Sequence, residues 1–391
     1  MKIHRALPTL VLLVLALLGC ELADEEPPIR IGATMSQTGA YSTQGIPARN
    51  GYLLCQDHTN AEGGLLGRDI EFVIHDDQSE TDTAIALYEQ LIEEEQVDGV
   101  MGPYGSTLTE AVAPVTERHR MVHVSPLAAT TSIWEQGREY LFMVLPPAEL
   151  FLAGLIEMGA EHGYGTVAVI SEDQLFPLAA AEGAAALAEE RGMEVAFQAT
   201  YASGTEDFSH ILQEVDDAGV EVLAMAASAL DDFQTVTRQM EAQDVNPQMF
   251  GTSGAVSEFQ EELGELAEYV FGLSAWEPSL PNPGIDQFVE SYREAFGQEP
   301  SFHAAGAYGS CQLFVEAAER AGTLDSDALR SQLLEMETTT VFGDYAVDER
   351  GYQVANQGVF VQWQDGEKAV VWPEELATAA PRIPMPRWNQ R

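Results

Sequence analysis

The chain has 391 residues, of which 46% are hydrophobic, enough for well-packed cores and too many residues for one ordinary domain. Asp and Glu number 63 against 18 Lys and Arg, a net charge of -45, and only Lys2 and Lys368 are lysines. Such a surface repels nucleic-acid phosphates and anionic lipid headgroups, which excludes nucleic acid as a partner, and it suits a concentrated salt solution in which screening blunts self-repulsion.

The first twenty residues read as a targeting segment. Lys2, His4 and Arg5 form a positive n-region, and Ala6–Leu18 is an apolar run of 13 residues. A membrane span needs about 20 residues. The segment ends Leu17-Leu18-Gly19-Cys20, similar to a bacterial lipobox, so Cys20 is the expected lipidation site. Residues 1–20 are then a lipoprotein signal peptide and residues 21–27 a polar tether. The reading implies an extracytoplasmic protein held to a membrane only by its N-terminal lipid; a plain secretory peptide cut elsewhere is the alternative. Of three cysteines, Cys55 and Cys311 remain in the body, either as a disulfide or as two buried thiols.

The body then alternates strand and helix. Ile29–Ala33 reads as a strand, followed by a helix to about Asn60, a strand at Asp69–His75 and an amphipathic helix at Thr81–Glu95. Gly99–Met101 is a short buried strand, the turn Gly102-Pro103-Tyr104-Gly105 leads to a helix, and Met121–Val124 and Tyr140–Leu145 are further strands. Thr107 with Glu110 fits a capping box, which leaves the Ser106 hydroxyl and N–H facing the space beyond the strand's carboxyl end. Open α/β sheets bind ligands there, and a helix N-terminus there favours an anion. An ordinary capped helix is the competing reading.

After Pro146-Pro147 a second series begins. Helices are expected at Ala148–His162, Leu178–Arg191, Phe208–Ala218, Asp231–Gln243 and around Ser257–Leu263. Strands are expected at Thr166–Ser171, Glu194–Tyr201, Val222–Ala226, Gln248–Gly251 and Tyr269–Trp276. Glu277-Pro278-Ser279-Leu280-Pro281 is a second break. Helices Ile285–Phe296, Phe302–Ala321 and Asp325–Met336 and extended pieces at Gly358–Gln364 and Ala369–Trp372 close the chain. This βαβ rhythm predicts an α/β fold with two doubly wound, parallel-sheet lobes.

The runs IGATMSQTGAYSTQG, NAEGGLLGRDIEFVIHDDQ, VDGVMGPYGS, VHVSP, TEDFSHIL, the pair Arg238-Gln239, FGQEPSFHAAGAY and VFGDYAVDERG together resemble the type I periplasmic binding proteins of the branched-chain amino acid (Leu/Ile/Val-binding) group. The resemblance covers about Pro28 to Trp388. It implies two lobes joined by three crossovers, with residues 28–145 and 277–349 in lobe 1 and residues 146–276 and 350–391 in lobe 2. It also implies capture of a small carboxylate ligand for an ABC importer with its permease and ATPase subunits, without a cofactor.

The same resemblance assigns a site. Ser106, flanked by Tyr104 and Gly105, would hold the ligand carboxylate with the loop Pro126–Thr131. There Ala128 and Ala129 stand in the grip, Ala129 where a Thr is usual, so that Thr130 or Thr131 serves after a one-residue slip. Phe176 would lie over the ligand. The acid that holds an α-ammonium falls at Ser253, and a second aromatic falls at Ala229. The carboxylate grip is kept and the amine grip weakened, which points to an acid with an apolar or aromatic body; Asp231, Asp232 or Glu258 would restore a negative charge for an amino acid. Tyr41, Tyr104, Phe176 and Trp276 are candidate pocket walls, with core packing as the competing role.

His119 and His123 lack the Glu of H-E-x-x-H and straddle a helix end, so no metal site is expected there. No G-x-S-x-G elbow or P-loop is present, which argues against an enzyme. Asp76-Asp77 read as structural. The rival functions are a ligand-sensing lipoprotein that signals to a receptor and, behind it, a hydrolase.

Overall fold

A computed structural model describes residues 26–391. Cys20, the signal segment and most of the tether lie outside the described residues.

The first sheet is all parallel, in the order β2-β1-β3-β4-β5, built from β1 (Ile29–Met35), β2 (Ile70–Asp76), β3 (Gly99–Met101), β4 (His123–Ser125) and β5 (Leu141–Met143). Its linking helices are α1 (Ser42–Ala61), α2 (Thr81–Glu89, continued by a π-helical turn Gln90–Glu94) and α3 (Ser106–Arg118). The second sheet is ordered β14-β13-β10-β9-β8-β6-β7. Its parallel part comprises β6 (Thr166–Glu172), β7 (Glu194–Tyr201), β8 (Val222–Ala226), β9 (Met249–Thr252) and β10 (Phe271–Ser274). These alternate with α4 (Ala153–Glu161), α5 (Leu175–Glu190), α6 (Ser209–Ala218), α7 (Leu230–Gln243) and α8 (Ser257–Leu263). The chain then returns to the first sheet for α9 (Ile285–Phe296), α10 (Phe302–Ala321), α11 (Ser326–Glu335) and the two-stranded β11 (Thr338–Thr339) and β12 (Asp344–Tyr345). It comes back to the second with β13 (Val359–Gln364) and β14 (Glu367–Trp372).

This is the α/β arrangement of two parallel sheets flanked by helices, with one difference: β13 and β14 add an antiparallel edge to the second sheet. A helical crossover gives parallel neighbours, whereas the tight turn at Asp365-Gly366 makes β13–β14 a hairpin. The runs of β3, β8 and β9 are buried on both faces, as sheets covered by helices on both sides require.

Helices α1 and α10 pack face to face at the back of the first sheet. A Cβ on Gly51 would stand 2.2 Å from the Ala304 carbonyl oxygen, so only glycine allows that approach. Cys55 of α1 and Cys311 of α10 form a disulfide across this contact, with Cα atoms 6.4 Å apart.

Several local expectations are corrected. Helix α3 starts at Ser106, with Gly105 as its cap, and the Thr107–Glu110 capping box does not form. The Thr107 hydroxyl instead donates to Gln174 Oε1 at 2.9 Å, and both oxygens of Glu110 pair with Arg138, at 2.5 and 2.9 Å. A charged partner outcompetes a backbone N–H for the carboxylate. Strand β4 begins at His123, two residues late, because the Met121 N–H closes the end of α3 on the Thr116 carbonyl and Arg120 is left-handed, φ 51°. Residues 148–162 split into a 3₁₀ turn, Ala148–Leu150, and α4. Asp77 is buried and accepts from Thr34 Oγ1, Ser36 Oγ and the Ser79 N–H, while Asp76 accepts from the N–H groups of Gln37, Thr38 and Gln78; both are structural.

Candidate functional site

The carboxyl ends of β3 and β4 in the first sheet face those of β6, β8 and β9 in the second. Between them lies a small cavity, part of it open at its mouth. Its floor is the start of α3. Gly105 has φ 83° and ψ 156°, backbone that only glycine adopts without strain, and it turns the chain so that Ser106 opens the helix. Ser106 is 2% exposed. Its Oγ accepts from the N–H groups of Ala129 and Thr130, both at 3.2 Å. With both lone pairs used, the hydroxyl has only its proton left to offer. The first N–H groups of α3, which have no partner within the helix, point the same way. The floor is therefore a donor cluster suited to an oxyanion.

The walls come from both halves. Tyr41 and Tyr104 pack with ring centroids 5.4 Å apart on the first, and Phe176 packs edge-on to Phe151 at 4.8 Å on the second. Leu230, Phe233 and Val256 complete an apolar side. Lining residues carry no Lys, Arg, Asp or Glu.

Hydrogen bonds tie the halves together around the cavity. The Tyr104 hydroxyl donates to the Ser228 carbonyl at 3.1 Å, Gln44 Nε2 to the same oxygen at 3.4 Å, and Thr107 to Gln174. Behind Ser228 lies the buried Glu172, whose oxygens accept from the Ser228 N–H at 2.9 Å and Ser203 Oγ at 2.5 Å. Asp232 accepts from the Tyr201 hydroxyl at 2.9 Å. Burial, with Glu172 adding repulsion, pushes its carboxyl up to about 6, against the pull of Tyr201. Burial and the same two carboxylates raise Tyr41 to about 12. His303, at the start of α10, is held neutral: burial, then the nearby Lys368 ammonium, lowers it to about 3.

Among the residues singled out in the sequence, Tyr41, Tyr104, Gly105, Ser106, Phe176 and Ser253 line this cavity. Ala128, Ala129, Thr130 and Thr131 sit behind Ser106 instead. The N–H groups of Ala129 and Thr130 are spent on its hydroxyl, and Thr131 Oγ1 meets the Tyr352 hydroxyl at 3.1 Å. Trp276 lies elsewhere, 1% exposed, its indole N–H donating to the Val341 carbonyl and its ring edge-on to Phe288. The bond from Ser274 Oγ to the Trp276 carbonyl turns the chain away from the cavity at the end of β10. Ser253 is occupied too: it bridges the Ala227 N–H and carbonyl at 3.2 and 3.3 Å. Asp231, Asp232 and Glu258 are absent from the lining.

Gln44, His303, Ser228 and Phe233 line the cavity without having been read from the sequence. Phe233 carried a signal: it follows Ala229, the position lacking an aromatic, by one helical turn of α7.

Two sheet-built halves closed over a cavity lined by no Lys, Arg, Asp or Glu, with a donor cluster at its floor, define a ligand-binding protein. The profile of the periplasmic binding protein family matches residues 28–368, and the chain belongs to that family. It is an extracytoplasmic solute-binding protein with the type I fold, and not an enzyme. It is 23% identical to the Leu/Ile/Val-binding protein homolog 7 of Brucella suis, across 96% of this chain and 99% of that one. The fold is similar to the branched-chain amino acid transporter substrate-binding protein LivJ of Streptococcus pneumoniae, solved with isoleucine (TM-score 0.78, 21% identity, 87% of this chain and 97% of that one). It is likewise similar to an ABC transporter solute-binding protein of R. palustris, solved with benzoate (TM-score 0.79, 17% identity, 88% and 95%).

Proposed function

We propose that this protein captures a small carboxylate with an apolar or aromatic body and delivers it to an ABC importer. The observation that carries the reading is Ser106. It is locked as a proton donor at the first turn of α3, in a cavity walled largely by aromatic and aliphatic side chains and by no charged one. Isoleucine and benzoate, the ligands of the two similar proteins, share a carboxylate and an apolar body. The absence of an acid among the lining residues separates this cavity from one built around an ammonium.

Capture follows from the two halves. We take residues 28–145 with 277–349 as one moving body and residues 146–276 with 350–391 as the other. A ligand that touches both shifts the population towards the closed form, which the Tyr104–Ser228 and Thr107–Gln174 bonds lock. The permease, with its ATPase subunits, reads that closed surface. Lipidation at Cys20 keeps the protein beside it.

A thermal-shift screen of amino acids against matched acids lacking the amine, run at high salt, tests the reading. Acids are expected to raise the melting temperature. Ser106→Ala is expected to weaken the binding of those acids by about 1–3 kcal/mol, the worth of a hydrogen bond to a charged group. Unchanged affinity in that variant removes Ser106 from the site.

A further inference from the structure

Two polar atoms in the cavity wall have no partner. Gln44 is 4% exposed; its Nε2 donates to the Ser228 carbonyl, and that leaves Oε1 buried with nothing to accept from. His303 is 3% exposed, and its Nδ1 is likewise buried without a hydrogen bond. The two come from different helices, the first turns of α1 and α10, and both flank Tyr104. Gln44 shares the Ser228 oxygen with the Tyr104 hydroxyl, and His303 packs edge-on to the Tyr104 ring, centroids 5.5 Å apart. Tyr104 stands two residues before Ser106. Both residues thus line the cavity beside Tyr104, whose chain leads into the floor at α3.

A buried acceptor left unpaired costs free energy that a bound group can recover. From this, and resting on the carboxylate reading above, we infer that the ligand carries a hydroxyl close to its carboxylate, held by Gln44 Oε1 and His303 Nδ1. With Nδ1 carrying the proton of the neutral ring, a hydroxyl donates its own proton to Gln44 Oε1 and accepts from Nδ1–H through its oxygen, which pairs both atoms. An ammonium only donates. No lining carboxylate is there to neutralise it, the oxygens of Glu172 and Asp232 being engaged behind the wall by Ser203, Ser228 and Tyr201. A plain methylene leaves both atoms unpaired. The ligand class is thus a hydroxy acid.

Calorimetric titration with phenylpropionate, phenyllactate and phenylalanine, and with isocaproate, hydroxyisocaproate and leucine, tests this. Each set differs only in a hydrogen, hydroxyl or ammonium on one carbon. The hydroxy acid is expected to bind about tenfold tighter than the plain acid. In Gln44→Met and in His303→Phe that ratio is expected to fall towards one. Because the ratio is read within each variant, any general loss of closure cancels. Equal binding of plain and hydroxy acids, a ratio that survives both substitutions, or tightest binding of the amino acids overturns the inference. If plain acids bind, and do so through Ser106, while the hydroxyl adds nothing, the carboxylate reading stands alone. If neither set binds, both fall.

Discussion

Replacing Cys55 and Cys311 together by alanine is expected to lower the unfolding free energy by about 2–5 kcal/mol. The disulfide joins positions separated by 256 residues, so its loss frees a very long loop in the unfolded chain. In the folded state it clamps α1 to α10, two helices already brought close by Gly51 against Ala304. The second sheet, with β6–β10 and the hairpin β13–β14, has no covalent share in that clamp. Urea unfolding followed by tryptophan fluorescence and far-ultraviolet circular dichroism is therefore expected to show an early loss of the first half, while the second keeps its midpoint. A double variant with the wild-type profile would show that packing alone holds α1 on α10.

The second large effect concerns charge. In a chain of net charge -45, Lys368 is the one lysine among the described residues. Its ammonium lies 2.6 Å from Glu277 Oε1, with the carboxylate side chain 8% and the lysine side chain 17% exposed. Glu277 follows β10, where the chain leaves the second sheet, and Lys368 sits on β14, so the pair pins that crossover. Lys368→Met removes the cation and leaves a buried carboxylate alone, an expected loss of about 3–5 kcal/mol. Adding Glu277→Gln is expected to restore most of it, since the neutral pair carries no buried charge. A double variant no more stable than Lys368→Met would mean that the methylene packing of the lysine matters and its charge does not.

Much of the fold was legible because glycines and prolines punctuate it. The strands Glu194–Tyr201 and Val222–Ala226 and the helices Ile285–Phe296 and Phe302–Ala321 fall where periodicity predicts. The last two helices stop at Gly297 and Gly322, both in the left-handed conformation. The expectations that failed locally depended on partners distant in sequence. Thr107 and Glu110 satisfy the capping-box spacing, yet Gln174 and Arg138 claim them. Nothing in the run ending at Trp276 foretells that its ring turns towards Phe288. The same limit applies to the cavity. Ser106 stands out by its place after a strand, and Tyr104 and Phe176 by the family resemblance, whereas Gln44 and His303 are ordinary first-turn residues until α1 and α10 bring them to one ring. Cys55 and Cys311 stayed ambiguous for that reason too, since their pairing depends on how those helices cross.

The crystal structure of the protein grown with phenylpropionate or isocaproate tests the account most directly. A carboxylate oxygen within hydrogen-bonding distance of Ser106 Oγ, with the apolar body against Phe176 and both halves closed around it, is the predicted result. An acid bound outside the space between the two sheets, or one inside it with its carboxylate turned away from α3, would contradict it.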